Sequence, residues 1–405
     1  MKPGFLVTLS TLPVLLAAPA VARDDATCGD PAVAVRAINT LGFEILRAAY
    51  PAENNAVLSP YSIEVASAMA YAGAEGKTRK EMATTLHYPG EESLLHSSLA
   101  GLTDALEQMT GRGEVTLTLT NQLYAAKGHS FRESFLGLLK NTYRSSLVSG
   151  DVVKGAGGVV QGIDTAGAKQ AGRSSPDPIA PGPLADNNAL EILNEVYLKA
   201  TWLNVFPKQA TKPRPFAARN RQFVNAPTMT VQADFGYWKR VTFSVIALRY
   251  SDGYLQFLIF LPERGVSLQN LERTLTTADL TNLTDCPETS LILYLPKFKL
   301  TPATLSLSET LSHLGLKSAF IPGEADFRRM DSGRDLYIAR ALHKAYLTID
   351  EQGTEAGATT VFDFAEDLTA PLPPLEVHVD RPFLFAVQHI PSGAFLFIGR
   401  VTDPR

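Results

Sequence analysis

The stretch that decides the fold reads Glu351-Gln352-Gly353-Thr354-Glu355-Ala356-Gly357-Ala358-Thr359-Thr360, and its side chains after Gly353 are mostly small. If it forms a strand, alternate residues face the same side. One face then holds Thr354, Ala356, Ala358, Thr360, Phe362 and Phe364, and the other holds Glu355, Gly357, Thr359, Val361, Asp363 and Ala365. Because small residues have a weak preference for strands, the stretch is able to be either a flexible loop or a half-buried strand.

Around this stretch, the chain shows helical patterns early and extended patterns late. Helical patterns cover 31–50, 60–72 and 306–315, and Thr78-Arg79-Lys80-Glu81 is a capping-box pattern that opens a further helix. Strands are predicted at 56–58, 115–120, 190–202, 254–261, 290–300, 345–350, 382–389 and 394–399. Strands and helices do not alternate regularly, so the predicted fold class is α+β with large sheets.

Residues 154–188 differ from the rest in composition. They are crowded with Gly, Ala, Ser and Pro, which is typical of a linker between domains. A chain of 405 residues can hold one large domain or a few smaller ones. Composition alone therefore favours two domains joined by this stretch.

The N-terminus has the pattern of an export signal. Lys2 supplies a positive charge, residues 5–18 form an apolar core, and Ala20-Val21-Ala22 offers a small-residue cleavage site. We therefore expect residues 1–22 to be a signal peptide and residues 23–30 a flexible leader. The mature protein is expected to be secreted or periplasmic.

Two cysteines occur in the chain, Cys28 and Cys286. Export permits a disulfide between them. Cys28 lies in the expected leader, however, so a disulfide and two separate thiols both stay open. No run of about 18 apolar residues follows the signal, and no membrane span is expected.

Charge and motifs give no sign of catalysis or of a nucleic-acid or membrane partner. The net charge is −4, and the 45% hydrophobic residues suffice to bury a large core. The seven histidines form no HExxH pair, and no GxSxG elbow is present. Gly73-Ala74-Glu75-Gly76-Lys77-Thr78 ends like a P-loop, but Tyr71 stands where the first glycine is required. We expect no catalytic residues, no metal site and no cofactor, which disfavours an exported hydrolase.

A series of short motifs begins after residue 31. They are Asn55-Ala56-Val57-Leu58-Ser59-Pro60-Tyr61-Ser62, the 73–78 turn, 194–202, Leu295-Pro296-Lys297-Phe298, Ala325-Asp326-Phe327, 343–346, 349–356, 381–385 and 397–401. In these motifs and their order, the chain resembles the serpin family of protease inhibitors from about residue 31 to the C-terminus. Each motif is weak alone, but so many in the family's order are very specific.

The resemblance implies an architecture and an assembly state. It implies about three β-sheets with eight or nine helices and an exposed reactive loop at about 351–374. It also implies one domain over residues 31–405, which replaces the linker interpretation of 154–188, and a monomer. Together with the export signal, it identifies an exported member of bacterial type.

The resemblance also implies a function as a suicide inhibitor. A target protease, of the serine class or alternatively the cysteine class, cuts the exposed loop and forms an acyl-enzyme. The cut loop then inserts as a new central strand, since serpin loop insertion is itself a known case of strand addition and strain release. Small, uncharged residues at 354, 356 and 358 favour this inhibitor; a proline or charge there would favour the alternative, a non-inhibitory chaperone or carrier.

Single residues acquire roles from the resemblance. The hinge, where insertion starts, comprises Glu351, Gly353, Thr354, Ala356 and Ala358, with Lys297 as the partner of Glu351. The shutter, a polar cluster beneath the central strands, comprises Ser59, Ser62, Asn194 and His343. The breach, the point where the hinge enters, is marked by Trp202. Without the resemblance, Glu351 would be a solvated surface acid, and His343 and Trp202 would be ordinary core residues.

Two features depart from the family pattern. Residues 155–174 lack the tryptophan of the helix that usually covers the main sheet, so we expect a short or poorly ordered helix there. Counting about 17 residues with Glu351 as the first places the scissile bond at Asp367-Leu368. Because the loop is longer than usual, cleavage after Glu366 or after Leu368 stays an alternative.

Overall fold

The structure, a computed structural model, describes residues 31–110, 115–126, 128–150, 189–218, 222–280, 283, 286–333, 336–354 and 374–405. Its helices are α1 Pro31–Ala49, α2 Pro60–Gly73, α3 Gly76–Thr85, α4 Glu92–Thr110, α5 Glu133–Tyr143, α6 Leu268–Thr274, α7 Thr277–Leu280 and α8 Leu307–Leu314. Its strands are β1 Ala56–Leu58, β2 Val115–Ala126, β3 Leu147–Gly150, β4 Ala189–Thr201, β5 Lys212–Ala217, β6 Phe223–Lys239, β7 Phe243–Arg249, β8 Leu255–Pro262, β9 Glu288–Pro296, β10 Phe298–Leu300, β11 Leu305–Ser306, β12 Tyr337–Ala345, β13 Leu347–Ile349, β14 Gly353–Thr354, β15 Leu375–His378, β16 Phe383–His389 and β17 Phe395–Val401. The predicted α+β class is confirmed.

Helix α2 lies beneath the central strands. Its N-cap Ser59 accepts a hydrogen bond from the backbone N of Ser62 at 3.2 Å. Pro60 takes the first helical position, where the missing N–H is not required. Every residue of α2 is buried, including the polar Ser62, Glu64 and Ser67. Its contacts with β2 and β4 place Ser59 and Ser62 directly under the main sheet.

Helix α3 begins earlier than the capping-box pattern predicts. Its N-cap is Glu75, and Thr78 lies inside the helix, so the interpretation of Thr78 and Glu81 as a cap is wrong. The Thr78 hydroxyl instead contacts Ser318 Oγ (3.1 Å) and accepts a hydrogen bond from the N of Asp326 (3.0 Å). Glu81 accepts one from the N of Ser318 (2.7 Å). These tertiary contacts use the polar groups that the cap would have used.

An eight-stranded sheet is built on β4. Strand β2 pairs antiparallel along one edge of β4. On the other edge, β12 pairs in parallel from Ala189 to Val196, and β14 pairs antiparallel at Ala200 and Thr201. One edge of β4 therefore has two different neighbours. Strands β13 and β10 extend the sheet beyond β14, whereas β11 pairs with β12 and β3 with β2.

The second sheet has nine strands in the order β1-β17-β16-β8-β7-β6-β9-β15, with β5 also paired to β6. Strand β6 is 17 residues long; its beginning pairs with β5, and its end pairs with β7. About three sheets were expected, but among the described residues the strands form two hydrogen-bonded sheets. The reason is that β6 pairs with β5 at its beginning and with β7 at its end, and so joins both groups of strands in one sheet. Strands β8, β16 and β17 are buried at every residue, as central strands of a covered sheet are.

Aromatic packing joins the end of β4 to the second sheet. Trp202 follows β4 and meets Phe257 of β8 edge to face, with ring centroids 5.8 Å apart. Phe257 stacks on Phe385 of β16 at 5.4 Å. All three rings belong to the large apolar cluster that both sheets and most helices share. Within the described ranges, no helix is long and apolar enough to cross a membrane.

Candidate functional site

The hinge opens with a tight turn between β13 and β14. Asp350 Oδ1 accepts hydrogen bonds from the backbone N of Gln352 (2.8 Å) and of Gly353 (3.2 Å). The N of Asp350 donates to the carbonyl O of Gly353 at 3.0 Å. The chain therefore reverses between 350 and 353, and β14 runs antiparallel to β13.

Gly353 and Thr354 already lie in the eight-stranded sheet. Gly353 pairs with Thr201, and Thr354 pairs with Ala200 on one side and with Ile349 on the other. The hinge is thus inserted between β4 and β13 at these two residues. Both are buried.

Only glycine fits at position 353. Its φ is +148°, a conformation that residues with a Cβ rarely adopt. A Cβ there would lie 2.1 Å from the carbonyl O of Ala200. Any other residue would push β14 away from β4, so this glycine permits the hinge to pair with the sheet.

Glu351 is held by two neighbouring side chains. Lys297 Nζ, from the link between β9 and β10, donates to Oε2 at 2.7 Å, and Thr211 Oγ1 donates to Oε1 at 2.8 Å. Burial disfavours the charged carboxyl, but these hydrogen bonds outweigh burial and lower the pKa of Glu351 below its ordinary value. The carboxylate is therefore charged at neutral pH and ties the hinge turn to the neighbouring chain segments.

Trp202 contacts the hinge turn from below. Its indole Nε1 donates to the carbonyl O of Asp350 at 2.9 Å, and its backbone N donates to the O of Gln352 at 2.8 Å. The ring stacks on Tyr250, with centroids 4.5 Å apart. The predicted breach residue and the predicted hinge are therefore in direct contact.

Tyr250 is a site residue that the sequence did not reveal. Its hydroxyl and the Thr354 hydroxyl lie 2.6 Å apart, and both side chains are buried. Burial raises the pKa of Tyr250, so the phenol stays neutral. Tyr250 follows β7 and is far from the hinge in the chain, so no local pattern links it to Thr354.

The four predicted shutter residues meet between α2 and the central strands. The N of Ser59 donates to His343 Nε2 at 3.0 Å, and His343 Nδ1 contacts Asn194 Oδ1. Asn194 Nδ2 donates to the carbonyl O of Ser62 at 2.9 Å. Asn121 of β2, which sequence reasoning missed, also contacts the Asn194 amide.

The bonds of His343 define its protonation. Because Nε2 accepts from Ser59, the ring proton lies on Nδ1, where it is donated to Asn194. Burial lowers the pKa of His343 to about 3. The imidazole is therefore neutral at physiological pH and links β12 to β4 and α2.

Below the hinge the sheet is closed. Strand β12 pairs directly with β4 from Tyr337–Ala189 to Ala345–Val196, so no strand lies between them over this range. We call this contact between β4 and β12 the seam. The His343–Asn194 contact of the shutter belongs to it.

Several predicted features fall outside the described residues. These are the hinge residues Ala356 and Ala358, the scissile-bond residues Glu366, Asp367 and Leu368, the covering helix within 155–188, the N-terminal residues 1–30 and, with them, Cys28. Cys286 is buried, and a disulfide with Cys28 and two separate thiols both stay open. Within the described ranges, no group of three or more His, Cys, Asp or Glu side chains is placed to hold a metal ion.

A family model described as serpin, a serine protease inhibitor, matches residues 36–404. The chain belongs to the serpin family. The matched range includes the residues predicted to form the shutter, the breach and the hinge. The motif-by-motif resemblance is thereby confirmed at the level of the family.

Two curated serpins illustrate the range of relatives. The leukocyte elastase inhibitor of Bos taurus is 31% identical over 361 residues, which cover 86% of this chain and 93% of the relative. An uncharacterized serpin-like protein of Thermococcus kodakarensis is 30% identical over 375 residues, covering 92% of this chain and 86% of the relative. These relatives are animal and archaeal, and the expected bacterial type stays a prediction.

Solved serpin structures share the architecture. The thermophilic serpin tengpin in its native state superimposes with a TM-score of 0.78 at 23% identity, covering 92% of this chain and 93% of that one. Human thyroxine-binding globulin also gives 0.78 at 23% identity, covering 92% and 99%. At this identity, the likeness shows the serpin fold.

Proposed function

We propose that this serpin is an inhibitor, not an enzyme, and traps a target serine protease as a covalent acyl-enzyme by inserting its cut loop. The observation that carries the proposal is the position of Gly353 and Thr354 at the end of β4, directly above a closed seam. A strand that continues from Thr354 enters between β4 and β12 where the sheet is already parted. The similarity to leukocyte elastase inhibitors supports the serine class, and cysteine proteases are the second class to test.

Trapping follows from the length and chemistry of the inserted strand. Thr354 is buried beside Ala200, so following residues on the same face must be small and uncharged, as Ala356 and Ala358 are. At ~3.3 Å per residue, about 12 to 15 inserted residues span roughly 40–50 Å. That distance carries the attached protease to the far end of the sheet. Distortion of its nucleophile, base and oxyanion donors then blocks deacylation.

The proposed scissile bond is Asp367-Leu368, with cleavage after Glu366 as the alternative. The choice rests on counting from Glu351 as the first residue of the hinge, and the contact of Glu351 with Lys297 supports that starting point. Cleavage after an acidic residue would select proteases that accept acids, whereas Leu368 at the cut would select others. Sequencing the released C-terminal fragment identifies the bond.

The decisive experiment mixes the mature protein with a panel of serine and cysteine proteases. An inhibitor yields a complex that survives denaturing electrophoresis, together with a released C-terminal fragment. If every protease cuts the loop and is released active, the inhibitory proposal fails, and the chaperone or carrier alternative gains support. The variants Glu366→Ser and Asp367→Ser test which of the two acids the protease requires at the cleaved bond.

We also propose that the protein is exported and acts as a monomer. The export proposal rests on the pattern of residues 1–22, and residues 31–405 are proposed to form one serpin domain. N-terminal sequencing of the protein from its natural source should begin at Arg23. An N-terminus that retains residues 1–22 would contradict export, and light scattering measures the assembly state.

A further inference from the structure

Two glutamates near helix α2 have opposite surroundings. The first, Glu92 of α4, lies 2.8 Å from Arg79 Nη2 and 2.9 Å from Arg329 Nη1. Its other oxygen lies 3.2 Å from His96 Nε2. Burial disfavours the Glu92 carboxylate, but the hydrogen bonds from these groups outweigh burial and lower the pKa of Glu92 to about 2. Glu92 is therefore charged at neutral pH, and it engages both arginines.

The second, Glu64 of α2, has no such partners. Its side chain is fully buried, and neither carboxyl oxygen makes a hydrogen bond with the part of the chain that the structure describes. The phenol of Tyr88 faces it, but in the same part of the chain the Tyr88 hydroxyl has no hydrogen-bond partner either. Because an unpaired charge is strongly disfavoured in the interior, burial raises the pKa of Glu64 well above its ordinary value. The folded protein therefore favours the protonated, neutral form of this acid.

The titratable groups that face Glu64 are phenols. Tyr88, from the segment after α3, and Tyr143, from α5, both interact electrostatically with Glu64. Helices α1 and α3 and strands β2, β4 and β17 also pack against α2, but no cation among the described residues acts on the pKa of Glu64. The ionised form of Glu64 therefore has no opposite charge to stabilise it.

The place of Glu64 on α2 connects this acid to the shutter. The two serines at the start of α2 belong to the shutter and contact the central strands. Residues two apart lie on different sides of a helix, so Ser62 faces the strands while Glu64 faces Tyr88 and Tyr143. Helix α2 is therefore held between the central strands on one side and the two tyrosines on the other.

We propose that Glu64 makes the shutter sensitive to alkaline pH. While the carboxyl is protonated, α2 packs closely between its two sides. Ionisation places a negative charge without a cation in this packing, and only a movement of α2 or the entry of water relieves it. Alkaline pH therefore loosens α2 and the shutter contacts of Ser59 and Ser62. This effect on α2 does not depend on the proposed function, whereas its consequence, faster opening of the sheet for loop insertion, rests on it.

The change of stability with pH has a defined sign. In the unfolded chain, Glu64 loses its proton near about pH 4.3, whereas in the folded protein it keeps the proton to a higher pH. Between these two values the folded protein binds a proton that the unfolded chain does not bind. The contribution of Glu64 to the free energy of unfolding therefore falls as the pH rises.

The test is the pH dependence of unfolding in Glu64→Gln. Glutamine has nearly the same shape but does not titrate, so the variant should gain stability over the unaltered protein as the pH rises. Between pH 5 and pH 7, we expect the difference between the two guanidinium midpoints to grow by about 0.3 M. A difference that stays constant from pH 5 to pH 9 would overturn the proposal.

Hydrogen exchange measures the effect on α2 itself. At pH 9, the amides of residues 62–68 should exchange on the order of tenfold faster in the unaltered protein than in Glu64→Gln. Both proteins are compared at the same pH, so the intrinsic exchange rates cancel. The amides of β8, which is buried in the second sheet, should differ less. A difference in β8 as large as that in α2 would mean that ionisation acts on the whole fold and not on the shutter.

Two further variants serve as controls. Glu64→Asp keeps a buried acid and should keep the pH dependence. Glu324→Gln removes an exposed acid that pairs with Lys77 at 3.0 Å, and it should leave the pH dependence unaltered. If Glu64→Gln does not fold, the infrared spectrum of the unaltered protein at pH 6 replaces it. The proposal requires the band of a protonated carboxyl there, and its absence would overturn the proposal.

Inhibition is measured separately, so that the two proposals can fail independently. If no protease forms a covalent complex but the pH dependence disappears in Glu64→Gln, only the proposed function is refuted. If complexes form but Glu64→Gln has the same pH dependence as the unaltered protein, only the role of Glu64 is refuted.

Discussion

The two parts of the same edge of β4 differ in what holds them to their neighbours. At Ala200 and Thr201, β4 meets the short strand β14, which a local turn and Gly353 deliver to it. From Ala189 to Val196, it meets β12 through contacts that include the Glu191–Arg340 ion pair and the Asn194–His343 bond. In the upper part, at Ala200 and Thr201, β14 already lies between β4 and β13. In the lower part, the seam from Ala189 to Val196, the polar contacts between β4 and β12 must break before a strand can enter. We therefore expect the lower part to control the rate of insertion.

The largest expected effect comes from a charge at the upper part. Thr354→Arg would place a guanidinium where the side chain is buried against Tyr250, at a cost of several kcal/mol. We expect trapping to fall by about 100-fold or more, so the inhibitor becomes a substrate. The measurement is the number of serpin molecules consumed for each protease inactivated.

The matched control for this change is Thr359→Arg, since alternation predicts that residue 359 faces the other side of the inserted strand. It should trap far better than Thr354→Arg. Equal loss in both variants would show that the difference between the two faces has no part in insertion.

Acid should weaken the lower part through His343. Its pKa is about 3 in the folded protein, against about 6.5 for a solvated histidine, so between these values the unfolded chain binds a proton that the folded one does not. The free energy of unfolding should therefore fall as the pH falls, by about 2 kcal/mol between pH 6.5 and 5 from this residue. Denaturant titrations at several pH values measure the slope.

His343→Gln isolates this contribution. Glutamine can keep a bond to Asn194 or to the N of Ser59 but does not titrate. The variant should show a shallower pH dependence over the same range. A slope identical to that of the unaltered protein would mean that His343 is not the group responsible.

A smaller effect is expected from Tyr250→Phe at the upper part. It removes the hydroxyl that meets Thr354 at 2.6 Å and leaves the Thr354 hydroxyl to find another partner. We expect a loss of about 1 kcal/mol in the free energy of unfolding. The fluorescence of Trp202, which stacks on this ring, should change with it.

Tyr237→Phe is a suitable control, since it removes a longer 3.3 Å hydrogen bond to Ser244 in the other sheet. It should leave the rate of complex formation unchanged, whereas Tyr250→Phe should alter it. Identical rates in both variants would remove Tyr250 from the hinge mechanism.

The smallest effect is expected at the Glu351–Lys297 pair. Lys297 is 36% exposed, so Lys297→Met should cost at most about 1 kcal/mol, and less at high salt. Because the pKa of Glu351 is lowered in the folded state, its stabilisation is present above about pH 4.3 and is lost as the pH falls below that. Titrations at pH 7 and pH 3 should show a larger difference between the variant and the unaltered protein at pH 7 than at pH 3.

Much of the fold could be predicted where the sequence pattern is locally strong. The continuous apolar runs of β8, β16 and β17 identify strands covered on both faces. Strand β6 was missed because exposed and polar residues such as Asn225 and Gln232 interrupt it, and Pro227 lies within it. Its long pairing with β5, β7 and β9 overrides these weak local preferences.

Some residues of the candidate site could be predicted from the sequence, and others could not. Sequence alone identified Gly353 and Thr354 as small residues at the start of a segment able to become a strand, and the family motifs brought in Trp202, Asn194 and His343. None of this reveals Tyr250, Asn121 or Thr211, because each reaches the site from a strand or turn distant in the chain.

The sequence by itself determined that alternate residues after Gly353 differ in size and charge, because side chains alternate along any strand. Only the tertiary structure decided what each face would meet. The pairing of Thr354 with Ala200 and Ile349 sets the register in which β14 joins the sheet. Register between strands far apart in the chain comes from the packing of the whole sheet, which no local pattern contains.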